Sequence, residues 1–249
     1  MSTPTAMSAA ERDTRVQLAA CYRLVSHFGM SDLIYNHITA RIPGPEGHLL
    51  INPYGMMYDE ITASSLIKID LDGKVLANQG EYGINAAGYV IHSAVHGARH
   101  DVQCVIHTHT RAGMAVSALQ CGLLPLTQTA MRFAKIPYHD YESVAIDLDE
   151  RARLVADLGQ SEAMILRNHG LLAAGPSIAQ AFNTLYWLEM ACKAQVDALA
   201  ANRELCLPPP EVIEKTWHLY QPTTRRPFGE LEWPAMLRLM DRKDPGYRE

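Results

Sequence analysis

The chain lacks long apolar runs, blocks of like charge and clustered cysteines, and each absence closes off a class of function. None of its 249 residues fall in a stretch near the roughly 20 apolar residues needed to span a bilayer. The opening Met-Ser-Thr-Pro-Thr-Ala-Met-Ser-Ala-Ala has neither a basic nor an apolar secretory region, so a cytoplasmic location and no membrane partner are expected. Twenty-two basic residues stand against 27 acidic ones without a run of either sign. That balance offers no electrostatic footprint for nucleic acid. Cys21, Cys104, Cys121, Cys192 and Cys206 are odd in number and far apart in apolar segments; they are expected as reduced core thiols, with no cysteine set for a metal. There is no internal repeat and no low-complexity tract.

What is present is a chain that is 48% hydrophobic, enough for one sizeable core and therefore one domain over 10–249 after a mobile start at 1–9. Leu18, Cys21, Val25 and Phe28 recur at helical spacing and predict a helix over 10–28, ended by Gly29. Short β-like segments follow at 33–42, 49–52, 66–71 and 74–76, the last two joined by Asp72-Gly73. Helices are predicted over 86–98, 110–120 and 149–158, strands over 130–137 and 163–167, and a long helix over 177–200. After Pro208-Pro-Pro210, a tail from about 208 to 249 holds two short helices divided by a polar loop. Strands in the middle with helices before, between and after predict an α/β fold: one three-layer α/β/α domain on a central, largely antiparallel mixed sheet.

The chemistry gathers at Cys104-Val-Ile-His-Thr-His-Thr110. Val105 and Ile106 fit a buried strand, so His107 and His109 project from one face, and Thr110 suits a helix N-cap. A third imidazole, His169, ends the apolar run Met164-Ile-Leu-Arg-Asn-His-Gly170. Three neutral nitrogens suit zinc first, with manganese, cobalt or iron possible, although a histidine near a strand end is more often a hydrogen-bonded structural residue than a ligand. His92 and His96 stand four apart on a predicted helix; with no third ligand at suitable spacing they are taken as a packed, hydrogen-bonded pair. Tyr138, His139, Asp140 and Tyr141 together hold the inventory of a proton-transfer site, and equally that of a turn stabilised by Asp140. Glu189 interrupts the long helix's apolar stripe and suits an ion pair with an arginine across an interface, or support of the metal residues.

From about Val16 to Tyr247 the chain resembles the class II aldolase/adducin family. The resemblance rests on Asn85-Ala-Ala-Gly-Tyr-Val-Ile-His92, on 101–110, on Arg167-Asn-His-Gly170, and on Phe228-Gly-Glu-Leu-Glu-Trp233. It implies one divalent metal per chain on His107, His109 and His169, and a homotetramer with sites between subunits. It also implies a lyase that breaks a C–C bond, by aldol cleavage or decarboxylation, through a metal-stabilised enolate. Asn36 and Asn52-Pro-Tyr-Gly55 match the stretches with which the family's sugar-phosphate aldolases hold substrate, but Tyr54 stands in place of a hydroxyl residue. Ala86, Ala87 and Gly88 replace paired serines and the acid/base glutamate, and the tyrosine supplied there by a neighbouring subunit falls near Thr129.

Tyr138, His139 and Tyr141 are thus the remaining acid/base candidates, and Asn36, Gly55, Gly88 and Thr129 the substrate-binding ones. With Gly88 in place of a carboxylate, the volume beside the metal is expected to be free for a ligand that brings its own carboxylate, a small oxo- or hydroxy-acid. Two alternatives follow from the same resemblance: a non-catalytic adducin-like scaffold, and an iron-dependent oxygenase.

Overall fold

The computed structural model describes residues 7–44, 47–142 and 150–249. Helix α1 (Ala9–His27) begins where the Ser8 hydroxyl accepts the Glu11 N–H at 3.1 Å. Strands β1 (His37–Arg41), β2 (Leu49–Ile51), β3 (Ile67–Ile69) and β4 (Val75–Ala77) follow, then α2 (Ala86–Ala98), β5 (Cys104–Thr108) and α3 (Arg111–Ser117). The chain continues through α4 (Gln128–Met131), β6 (Tyr138–His139), α5 (Glu150–Leu158), β7 (Ala163–Leu166), β8 (Gly170–Gly175) and α6 (Ile178–Ala200). It closes with α7 (Pro210–Leu219) and α8 (Trp233–Lys243).

The eight strands form one sheet in the order β4-β3-β2-β1-β5-β8-β7-β6, antiparallel throughout except for β6 beside β7. Alternation along β5 divides the interior in two. Cys104 and Ile106 join α1, α3 and α6 in the main core, whereas Val105 joins α2 and α5 on the opposite face. The α/β fold with a mixed sheet and helices on both faces is therefore as expected. The tail is tied back: Trp233, Met240 and Tyr247 are buried in the main core, and the Ala63 N–H reaches the Tyr247 carbonyl at 2.9 Å.

Several local expectations fail. The strand expected over 130–137 is instead α4 and a series of turns, because the Thr127 hydroxyl caps a helix by accepting the Ala130 N–H at 3.1 Å. Strand β8 was not expected; it follows β7 as a hairpin whose turn carries Asn168 at φ 54. Cys121 and Cys206 are exposed, so only Cys21, Cys104 and Cys192 are core thiols. Of the helix expected over 149–158, position 149 lies outside the described residues. Among the described residues no helix is long and apolar enough to cross a membrane.

Candidate metal centre

His107 sits in the middle of the sheet, opposite His37 of β1 on one side and Leu172 of β8 on the other, and is fully buried. The strand ends at Thr108, and His109 lies in the turn to α3, whose N-cap is Thr110. The Thr110 hydroxyl donates to Glu189 of α6, and the Gly113 N–H donates to Thr110 Oγ1 at 3.2 Å. Glu189 also faces Lys193 of its own helix at 3.5 Å, so its partners lie within the chain and it anchors the turn after His109. Burial pushes its carboxyl above the ordinary range against the pull of Thr110 and Lys193.

The β7–β8 turn brings in His169. Gly170 permits this, because a Cβ there would collide with the Thr108 carbonyl of β5. The hairpin can therefore press against the end of β5, and the three Nε2 atoms converge: His107 to His109 at 2.8 Å, His109 to His169 at 3.0 Å and His107 to His169 at 3.2 Å.

Two of these rings have their tautomer assigned by their other nitrogen. The Leu171 carbonyl at 2.9 Å can only accept, so His107 Nδ1 carries the hydrogen; His109 Nδ1 donates likewise to the Asp32 carboxylate at 3.1 Å. Both therefore turn bare Nε2 lone pairs toward each other, which is repulsive unless a cation lies between them. Protonation is a poor remedy. Burial, with the other imidazoles nearby, holds His107 well below the ordinary imidazole range, and the same causes bring His169 down to about 4. Zinc–nitrogen bonds of about 2.0–2.1 Å at tetrahedral angles would separate the ligand atoms by about 3.3 Å, close to the spacing found. The residues present fit a divalent ion.

Asn36 proves to be a brace within this centre. Its Oδ1 accepts the His109 N–H at 2.9 Å and its Nδ2 donates to the Met30 carbonyl at 3.0 Å, with the side chain 1% exposed. It fixes the backbone that carries His109 and is not presented to a ligand. Asp32 and Asn36 both come from the irregular stretch before β1, of which 33–36 was expected as strand; Leu33 there has φ 46, a turn that sequence alternation does not announce.

The volume expected to be free at Gly88 is filled. A Cβ on Gly88 would fall on the ring of His37, 2.8 Å from its Cγ and closer still to Cδ2 and Nε2. His37 is 4% exposed, its ring centroid lies 5.0 Å from that of His107, and its Nδ1 is 2.7 Å from His92 Nε2. From there a buried line continues: His92 Nδ1 to Thr39 Oγ1 at 2.6 Å, and Thr39 Oγ1 to His96 Nε2 at 2.8 Å. The expected His92–His96 pair is thus packed and hydrogen-bonded, but through Thr39, with His92 bonded onward to His37. Burial holds His37 and His92 well below the ordinary range and brings His96 to about 3.

The acid/base candidates separate. Tyr138 is turned away: its hydroxyl accepts the Leu123 N–H at 2.8 Å, and Arg167 lies over its ring at 4.0 Å. His139, on the other face of β6, is buried between Asp157 at 2.7 Å and Glu150 at 3.4 Å. It lines a small cavity with Asp140, Tyr141 and His169. Tyr141 is exposed, its ring centroid 6.1 Å from that of His169. Thr129 lies elsewhere in the chain, in a cavity with Arg132, Asn183, Trp187 and Phe228. Gly55, at φ 136, lies under Tyr82, where a Cβ would come within 2.5 Å of the ring. The centre assembled within one chain is therefore the three convergent histidines, Asp32 and Asn36 behind them, and His37, Tyr141 and His139 around them.

The profile of the class II aldolase and adducin N-terminal domain matches residues 16–196. A Pseudomonas aeruginosa protein named for the class 2 aldolases is 51% identical over 247 residues, covering 98% of this chain and 95% of its own length. Alpha-adducin of Rattus norvegicus is 39% identical over 96% of this chain, which spans 34% of that longer protein. Among solved structures, an aldolase II superfamily protein from Pseudomonas syringae superposes with a TM-score of 0.94 at 49% identity, covering 98% of both chains. L-fuculose 1-phosphate aldolase from Glaciozyma antarctica superposes with a TM-score of 0.84 at 28% identity, covering 100% of this chain and 97% of its own. The chain belongs to the class II aldolase and adducin N-terminal domain family.

Proposed function

We propose that the protein is a divalent-metal-dependent lyase that breaks a C–C bond in a small oxo- or hydroxy-carboxylate. The observation that carries the reading is the convergence of three Nε2 atoms, two of them in rings whose tautomers leave lone pairs facing the shared point. His107, His109 and His169 would hold the ion, zinc above all, with Asp32 and the Leu171 carbonyl orienting two of the rings. Bound there, the ion supplies Lewis-acid stabilisation of negative charge on a substrate oxygen.

The chain's own groups account for the rest. With no carboxylate among the three candidate ligands, the centre keeps its positive charge and suits an anionic chelate that brings a carboxylate beside a keto or hydroxyl oxygen. When the C–C bond breaks, its electron pair stays with the carbon adjacent to the one that bears that oxygen, the other fragment leaves as an aldehyde or CO₂, and a proton must reach the carbon that kept the pair. Tyr141, exposed beside His169, would deliver that proton, and His139 nearby is held by two carboxylates.

Titration of zinc-loaded protein with 4-hydroxy-2-oxo acids, salicylate and L-fuculose 1-phosphate tests the reading. Binding and turnover within the acid classes support it. Turnover of the sugar phosphate with no binding of the acids overturns the substrate class. The 39% identity to alpha-adducin over nearly the whole chain favours a second reading, a scaffold without catalysis; it gains if neither class binds.

A further inference from the structure

We propose that His37 is a ligand-binding residue of this centre: a neutral imidazole, locked from behind by His92, whose Nε2 makes a hydrogen bond to whatever molecule is held by the three-histidine cluster. The inference rests on the proposed function for the presence of such a ligand, and on four observations for the role of His37.

The first is placement. The register sets His37 directly opposite His107 across the β1–β5 pair, and the two rings lie 5.0 Å apart at 38°. The second is the cradle. Gly88 opens α2 so that the Cδ2–Nε2 edge of the ring occupies the space a side chain would take. The third is restraint. Nδ1 is bound to His92, whose other nitrogen is bound to Thr39, which is bound in turn to His96, so the ring cannot rotate without breaking a buried line of three hydrogen bonds.

The fourth observation is an available nitrogen. The side chain is only 4% exposed and Nε2 has no hydrogen-bond partner among the described residues, yet it is not one of the buried polar atoms shut off without one. It therefore remains open to a bound molecule, to which it can donate or from which it can accept. His37 is not a fourth member of the metal cluster. The ligand atoms of His107, His109 and His169 all lie within 4.8 Å of one another, and His37 falls outside that group. It stands beside that group, its ring centroid 5.0 Å from that of His107.

A rigid neutral imidazole at that place matters for selection. It can donate to or accept from a carboxyl, keto or hydroxyl oxygen without adding a charge of its own, and it shortens the cleft on the side where Gly88 alone would have left it open.

The test uses the full chain loaded with zinc and oxalate as the probe, a compact chelating dianion. Zinc content is measured together with oxalate affinity by calorimetry, for wild type, His37→Ala and His37→Gln. The expected result is full zinc content in all three, oxalate binding weakened by about three- to tenfold in the alanine variant as one neutral hydrogen bond is lost, and partial recovery in the glutamine variant, whose amide can reach the position of Nε2. Should the alanine variant fold poorly, wild type and the glutamine variant still decide the matter through a ring-nitrogen NMR signal for His37 that shifts on adding oxalate to the zinc form.

Equal oxalate affinity with and without the imidazole, or an unmoved His37 signal, overturns this inference and leaves the proposed function standing. Loss of zinc from His37→Ala overturns it in favour of direct ligation. Failure of oxalate to bind wild type at all sinks the proposed function and this inference together.

Discussion

The ring of His37 lies where the side chain of residue 88 would begin, so these two positions cannot both carry bulk. Gly88 belongs to the helix α2, where alanine is ordinarily better than glycine by about 1 kcal/mol. Here the sign should reverse. Gly88→Ala is expected to destabilise by about 1–3 kcal/mol through overpacking against His37, and to become neutral or stabilising when His37→Ala is present. Urea denaturation of the two single variants and the double variant measures the coupling. Additivity within about 0.5 kcal/mol would show that the two positions do not compete.

The three convergent histidines were legible because each lies in a short local pattern: His107 and His109 two apart at a strand end, His169 in a His-Gly step whose glycine is required by the approach of Thr108. His37 was not singled out, since one histidine in Asn36-His-Ile-Thr39 has no local partner. A signal did exist across elements. His37 and Thr39 alternate onto one face of a strand, while Gly88, His92 and His96 recur every fourth residue on one face of a helix. Matching the two requires knowing that α2 covers β1, which is a tertiary fact. The same limit hid the opposite orientations of Tyr138 and His139, because which face of a two-residue strand is the inner one depends on its neighbours.

One divalent ion per chain is the second expectation. Imidazoles from β5 and from the β7–β8 turn meet only in the folded chain, so the ion should raise the melting temperature and a chelator should lower it. Alanine in place of His107, His109 or His169 should abolish stoichiometric metal, measured by elemental analysis. Asp32→Asn should keep the ligands but weaken zinc by about 10- to 100-fold, since the orienting carboxylate of His109 is lost. Wild-type metal content in two of the three alanine variants would exclude the centre.

Acid should unfold the metal-free protein early, and the line His37–His92–Thr39–His96 gives the sign. His92 is held well below, and His96 near 3 against, the ordinary imidazole value of 6.5, in both cases chiefly by burial. The folded chain then binds fewer protons than the unfolded one, so these groups cost nothing above about pH 6.5 and erode stability as pH falls from there toward their folded values. Each contributes about 1.4 kcal/mol per pH unit in that window. Denaturation curves at pH 7.5, 6.5, 5.5 and 4.5 should be flat at first and then fall steeply, and His96→Asn should reduce the slope by about one proton. A stability independent of pH between 6.5 and 4.5 would contradict the burial of neutral imidazoles.

Tyr138 and Tyr141, three residues apart, should respond to the same substitution in opposite ways. The Tyr138 hydroxyl accepts the Leu123 N–H at 2.8 Å, and a Cβ on Gly122 would collide with that ring, so the phenol belongs to the packing beneath β6. Tyr138→Phe leaves the Leu123 donor unmatched and should cost about 1–3 kcal/mol of stability with any turnover unchanged. Tyr141 is 52% exposed, with its ring centroid 6.1 Å from that of His169. Among the described residues Tyr141→Phe removes no hydrogen bond, and it should leave stability within about 0.5 kcal/mol of wild type. If the phenol delivers the proton that follows C–C cleavage, turnover should fall by about 100- to 10,000-fold with little change in substrate affinity. Urea melts read the first half of the contrast, and kcat against KM on the substrate found by the titrations reads the second. Should Tyr141→Phe turn over normally, the proton comes from elsewhere, and His139 between Asp157 and Glu150 is the next side chain to change.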